Sequence, residues 1–235
     1  YSFQSSGTQN FAISGGTLVI GQWYHLACTR TGSTVAFFVN GVRQGTATFS
    51  GTISTSTSGW DIGAIGAGTD PQKGYITDAR MVIGSNPYGV GTTLTLPTAP
   101  VTAITNTQLL CNFTNAGILD NAMMNDLETV GNAQISTSVK KYGTGSLAFD
   151  GTGDYLYGPS SPNTSFGTGD FTIEFWMYSN NVSGVNQLGM LQMSDTAGGL
   201  KASYASQLCI NQGQTALGVG LTGAIVANIN NTNVG

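Results

Sequence analysis

Residues 171–178 read FTIEFWMY, and the alternation in that run constrains the chain more than any other feature. Phe171, Ile173, Phe175 and Met177 fall on one side of an extended backbone. Thr172, Glu174, Trp176 and Tyr178 fall on the other. A period of two makes the run a strand. Large residues on both sides predict a strand covered on both faces, not one with a wet side. The turn GTGD (167–170) introduces it, as GTG (143–145) introduces the shorter run SLAF (146–149).

The rest of the chain repeats this grammar. Runs at 23–30 and 35–40 flank TGST, a hairpin signal. Asn40-Gly41 is a stronger one, because both residues tolerate the positive φ of a tight turn. Shorter apolar runs lie at 60–63, 74–83, 108–113, 130–136, 147–157, 188–193, 202–210 and 216–229. Only 116–127 spaces its apolar residues (Ile118, Leu119, Met123, Leu127) as a helical turn does, and it reads equally as a loop plugging the core. Many short strands with turn residues between them predict an all-β sandwich or barrel.

Composition narrows the function. Charged residues are 8% of 235, and glycines number 34, which suits turn-rich structure with a neutral polar surface. A net charge of −4 with scattered cations gives no basic footprint, so nucleic-acid binding is set aside. No apolar run approaches the roughly 18 residues a membrane-crossing helix needs, so membrane insertion is not expected. The chain opens on Tyr1 inside a strand-like pattern, which reads as a piece of something longer. Cys28, Cys111 and Cys209 cannot all pair; each lies in an apolar run and is expected to be a free, buried thiol, made in a reducing cytoplasm.

Three motifs carry a family resemblance: SLAFDGTGDYL followed by FTIEFW, QWYHLACTR followed by VAFFVNG, and GYITDARM. Together they resemble the laminin G-like, concanavalin A-like jelly roll. The resemblance implies an antiparallel sandwich and a non-catalytic module, as found in tail-associated and structural proteins of marine bacteriophages and in bacterial surface adhesins. It also implies a place on a virion surface or outside a cell. The partners it implies are host-surface glycan or an envelope polymer, together with neighbouring repeats or other virion subunits. A purely structural spacer in a fibre is the rival reading.

The motif order is permuted: in the family, SLAFDG and FTIEFW precede the W-x-H hairpin. The expected organisation is therefore a tandem array read across a junction. Residues 1–88 form the closing half of one sandwich, 89–106 (Pro97, Pro100 and several threonines) a linker, and 107–235 the opening half of the next. A weak self-similarity between 7–15 and 223–231 gives a repeat of roughly 216 residues. Two other arrangements remain open: the two halves close one permuted domain, or halves are exchanged between chains.

Catalysis is not expected. Glycoside hydrolysis needs paired carboxylates, and the chain's two glutamates, Glu128 and Glu174, stand apart in sequence. Glu174 reads as a carboxylate hydrogen-bonded within a sheet, and His25, the one histidine, as a packed residue. The resemblance implies calcium as the one cofactor to consider, with Asp150 and Asp154 of FDGTGDYL and Asp78 of the last strand as its oxygen donors; as plain turn residues beside Gly151 and Gly153, the first two need no metal. Trp60, with Asp61, is the candidate sugar contact, since an aromatic face beside a carboxylate suits a pyranose. Trp23 and Trp176 are assigned to the core.

Overall fold

The computed structural model describes residues 10–53, 59–64, 71–114, 117–122, 127–181, 188–194, 206–212 and 224–230. The strands in chain order are β1 (Asn10–Thr17), β2 (Trp23–Thr31), β3 (Thr34–Val39), β4 (Val42–Thr48), β5 (Trp60–Ile62), β6 (Lys73–Ile83), β7 (Thr107–Cys111) and β8 (Glu128–Val130). They continue with β9 (Gln134–Ser136), β10 (Ser146–Asp150), β11 (Tyr155–Gly158), β12 (Phe171–Ser179), β13 (Leu188–Ser194), β14 (Ser206–Gln212) and β15 (Ala224–Asn230). The helical content of the described residues is one 3-10 turn, Pro162–Thr164. Residues 117–122 of the expected helical turn form turns instead; the remainder of that stretch lies partly outside the described residues.

Two antiparallel sheets face each other. One runs β1-β15-β14-β13-β5-β11-β8, the other β4-β3-β2-β12-β6-β10-β9, with β7 also on β6. Of the sandwich or barrel that the strand pattern predicted it is the sandwich, in keeping with the jelly roll that the resemblance implied. One continuous core, from Ile13 through Phe37, Trp60, Met81, Leu147 and Phe175 to Ile210, lies between them. The fully buried Phe171, Ile173, Phe175 and Met177 all belong to it, so this side of β12 faces the other sheet.

The position of β12 corrects the expected domain division. Its residues pair with β2 on one edge (Ile173 with Cys28, Trp176 with His25) and β6 on the other (Glu174 with Arg80, Tyr178 with Tyr75). A strand from 107–235 is thus the centre of a sheet otherwise begun by 1–88. The physical reason is edge pairing: each half alone leaves open β-edges and half a core, and here each half satisfies the other. Within this chain the segments 1–88 and 107–235 build one permuted sandwich. The stretches 7–15 and 223–231, compared above as repeats, contain neighbouring strands, with β1 paired to β15 from Asn10–Asn230 to Thr17–Ala224.

Residues 89–106 are consequently a strap and not a linker. Thr93 bridges to Val42, Leu94 N donates to Gly41 O (2.9 Å), and Arg43 Nη1 donates to Val90 O (2.8 Å). Further on, Arg80 Nη1 donates to Thr102 O (2.9 Å) and Tyr142 OH to Pro97 O (3.1 Å). The prolines suit this course, since a strap lying on a sheet face has little use for backbone donors.

Between 128 and 158 the chain crosses from sheet to sheet. The stretch read as one strand at 130–136 is two, β8 and β9, in different sheets, broken at Gly131 (φ 72°). The stretch 147–157 is likewise β10 and β11, broken at Gly151 (φ 90°) and Gly153 (φ 74°). Positive φ at these corners is where glycine is required.

Candidate functional site

Side-chain parity along β5 decides the fate of the expected sugar contact. Trp60 and Ile62 point into the core; Trp60 is 1% exposed and abuts Gly158, where a Cβ would come within 2.1 Å of its ring. Trp60 therefore offers no ring face to a ligand, which corrects that assignment. Asp61 points the other way, onto the outer face of the seven-stranded sheet. There the register aligns Glu128 on β8, Tyr157 on β11, Asp61 on β5 and Gln192 on β13 in one row. Tyr155, two residues along β11, shares the face.

This row mixes aromatic, acidic and carboxamide groups. Tyr155 and Tyr157 are half-buried and Glu128 is exposed, while Asp61 and Gln192 form its floor. Tyr157 lies against Gly59, where an added Cβ would meet the ring at 2.7 Å. Burial first, then the charges of Asp61 and Glu128 and the neighbouring Tyr157, push the Tyr155 phenol upward, so it remains a hydroxyl donor. Asp61 and Glu128 stand on strands either side of β11, about 10 Å apart at Cα with Tyr157 between them.

The proposed calcium ligands do not converge. Asp154 is fully buried and clamps both sheet crossings: Oδ1 accepts from Asn132 N (3.0 Å) and Oδ2 from Asp150 N (2.7 Å). Asp150 is exposed; Oδ1 accepts from Thr152 N (2.7 Å) and Oδ2 from Asn132 Nδ2 (2.9 Å). Its carboxyl lies below the ordinary value, first through the Asn132 hydrogen bond and then through Asp154. Asp78 is five residues up β6 from Lys73, the partner of Asp150, and so about 16 Å away. Among the described residues no group of three or more His, Cys, Asp or Glu is placed to hold a metal ion. Two carboxylates already engaged by turn amides do not fit calcium's demand for six to eight oxygens.

Asp78 instead fills a gap in the sheet. β7 ends opposite Ala79 and β10 opposite Ile76, and Asp78 bulges between them with φ 52°. Asn112 Nδ2 donates to its Oδ1 (2.6 Å), while Oδ2 is buried without a hydrogen-bond partner. Burial pushes its carboxyl up to about 6, against the pull of Asn112 and the Val101 backbone.

The outer face of the eight-stranded sheet also holds a buried ionic network that the sequence hinted at only through its individual residues. Glu174, fully buried, accepts from Arg80 Nε (2.7 Å) and Nη2, from His25 Nε2 (2.9 Å) and from Tyr88 OH (2.5 Å). Burial would raise Glu174, but the His25 bond, Arg80 and Tyr88 outweigh it and hold the carboxylate below its ordinary range. Every oxygen of Glu174 is engaged, so it is a structural counter-ion, and the Arg80 it holds donates in turn to Thr102 O of the strap. Cys28 and Cys111 are free and buried as expected; burial pushes Cys28 up to about 12 and also raises Cys111, so neither is a ready nucleophile. The Cys209 side chain lies outside the described residues.

Residues 1–82 match the family model described as the concanavalin A-like lectin/glucanases superfamily. The match covers β1 to β5 and most of β6, and β12 then completes the sheet around that segment. No curated protein and no solved structure matches the chain. Of the row just described, the matched segment contains Asp61; Glu128, Tyr155, Tyr157 and Gln192 lie beyond it.

Proposed function

We propose that the protein is a non-catalytic carbohydrate-binding module, gripping a host-surface glycan or envelope polymer on the outer face of the seven-stranded sheet. The observation that carries the reading is the row Glu128–Tyr157–Asp61–Gln192 with Tyr155 beside it. Tyrosine rings stack on the apolar face of a pyranose, and the acids accept hydrogen bonds from its hydroxyls. The match to a lectin-type superfamily supports the same class. The module belongs on a virion surface or tail fibre, in an array with neighbouring repeats or other virion subunits; a bacterial adhesin is the alternative setting. A spacer role draws on a different observation, the 8% charged content, which suits lateral packing in a fibre.

The test is a glycan array probed with the labelled protein, with Tyr157→Ala and Glu128→Ala as variants. Retention of one glycan class that both variants lose supports the reading. Retention indifferent to both, or no retained glycan, leaves the spacer reading. Release of reducing ends from a retained glycan would overturn the non-catalytic assignment.

A further inference from the structure

The opposite face of the sandwich carries a second aromatic row. Register aligns Trp23 on β2, Tyr178 on β12 and Tyr75 on β6, with Ala148 on β10 and Gln134 on β9 beyond them. All three rings point outward, since Tyr24, Met177 and Ile76 between them belong to the core. Trp23 and Tyr178 are tilted by 59° at 5.4 Å between centroids, and Tyr178 and Tyr75 meet edge-on, at 72° and 5.6 Å. Each ring is partly exposed.

The neighbouring row shows what a finished structural aromatic looks like here. Trp176, two residues along β12, is 4% exposed: Lys141 Nζ sits 4.4 Å over its ring, Tyr142 meets it edge-on at 5.8 Å, and His25 at 5.2 Å. No side chain caps Trp23, Tyr178 and Tyr75 in that way among the described contacts. Their surroundings are mixed. Val19 and Ile20, 52% and 51% exposed, lie in the turn that Gly21 N ties to Ser179 O (3.1 Å). Lys73, Asn180 and Gln134 supply exposed polar groups.

Size selects the occupant. Three half-covered rings of about 200 Å² each offer roughly 300 Å² in all. A protein partner covers about 800 Å² per side. The row is too small for that, yet its ring spacing is close to the length of one sugar unit. Ring faces, phenolic hydroxyls and a polar rim suit a ligand that is apolar on its faces and hydroxylated at its edges. We infer that Trp23, Tyr178 and Tyr75 form a second glycan subsite, taking consecutive hexopyranose units of a polysaccharide chain on the face opposite Asp61. A module with sites on both faces can engage two chains, or one that wraps its edge, and gains avidity from the pair.

Trp23 is the reporter, because Trp60 and Trp176 are 1% and 4% exposed. Acrylamide quenching of tryptophan fluorescence is followed with cellotetraose, laminaritetraose and maltotetraose at millimolar concentration. At least one tetrasaccharide is expected to protect Trp23. Tyr75→Ala and Tyr178→Ala each weaken that protection about tenfold, while Ile104→Ala, an exposed position by the far end of β6, leaves it unchanged. Tyr178→Phe, which keeps the ring and its packing, retains protection and stands in should Tyr178→Ala fail to fold. The inference is overturned if no tetrasaccharide protects Trp23, or if protection survives loss of both tyrosine rings. It is also overturned if protection grows with protein concentration alone, which would make the row a contact between copies. Because the array experiment reads Tyr157 and this one reads Trp23, either site can fail without the other.

Discussion

Asp78→Asn is the sharpest perturbation the structure offers. The carboxyl is 2% exposed and has one hydrogen-bonded oxygen and one orphan. Its displacement from 3.8 to about 6 corresponds to about 3 kcal/mol of disfavoured ionisation. The sign follows from proton binding. Between pH 3.8 and about 6 the folded state keeps a proton that the unfolded chain has released. Stability therefore falls as pH rises through that window and stays at its lower level above it. Asparagine is nearly isosteric, is neutral at every pH, accepts from Asn112 through Oδ1 and tolerates φ 52° better than other residues. Alanine would confound the result with left-handed strain.

The expected outcome is that Asp78→Asn is more stable than the parent by up to about 3 kcal/mol at pH 8, a midpoint rise of roughly 6–12 °C for a chain of this size. The advantage shrinks to near zero by pH 4. Urea melts of both proteins at several pH values between 4 and 8 read it directly, and the difference cancels all groups common to both. A difference that does not change with pH would refute the burial argument. A variant less stable at pH 8 would mean the charge is wanted there, as it would be beside a bound cation.

Asp154→Ala removes the acceptor shared by Asn132 N and Asp150 N and is expected to cost about 3 kcal/mol, read as a fall in urea midpoint, with Asp154→Asn recovering part of it. Gly158→Ala drives a Cβ into Trp60 at 2.1 Å and should destabilise by about 1–3 kcal/mol or more, with a changed Trp60 emission. Millimolar calcium should leave the melting midpoint unmoved; a calcium-dependent rise would mean that Asp150 and Asp154 recruit donors beyond those described.

How far the sequence reached depended on whether a property was local. Alternation at 171–178 is local, and it gave the strand and its two side-chain sets, both expected to be covered. The outward face was legible only as large and covered. Its covering comes from Tyr88, eighty-six residues earlier, and from Arg80 and His25, brought together by sheet register. The tryptophans show the same limit. Each sits in a strand-like run, so parity within the run cannot say which side faces the other sheet. Trp60, read as a sugar contact, is core, while Trp23, assigned to the core, is on the surface. A signal was present for Trp23: it shares parity with His25, whose in-register neighbour Trp176 shares parity with the charged Glu174. Asp154, read as a calcium donor, has both oxygens on turn amides, the alternative that its neighbouring glycines allowed.

The permuted order has a consequence for folding. Among the described strands, β12 lies between β2 and β6 and joins them. Residues 1–88 lack β12, residues 107–235 lack its neighbours β2 and β6, and the strap 89–106 is fixed at one end to β4 and at the other to Arg80. The chain should therefore unfold in one cooperative transition as a monomer, and residues 89–106 should resist proteolysis until that transition begins. Separate fragments 1–88 and 107–235 should show no cooperative melt alone and recover one on mixing. If instead the strap is cut in the native state, or 107–235 melts cooperatively only when extended at its C-terminal end, then the pairing of β12 with β2 substitutes for a partner strand supplied by a neighbouring repeat. The tandem-array arrangement would then describe the protein at work.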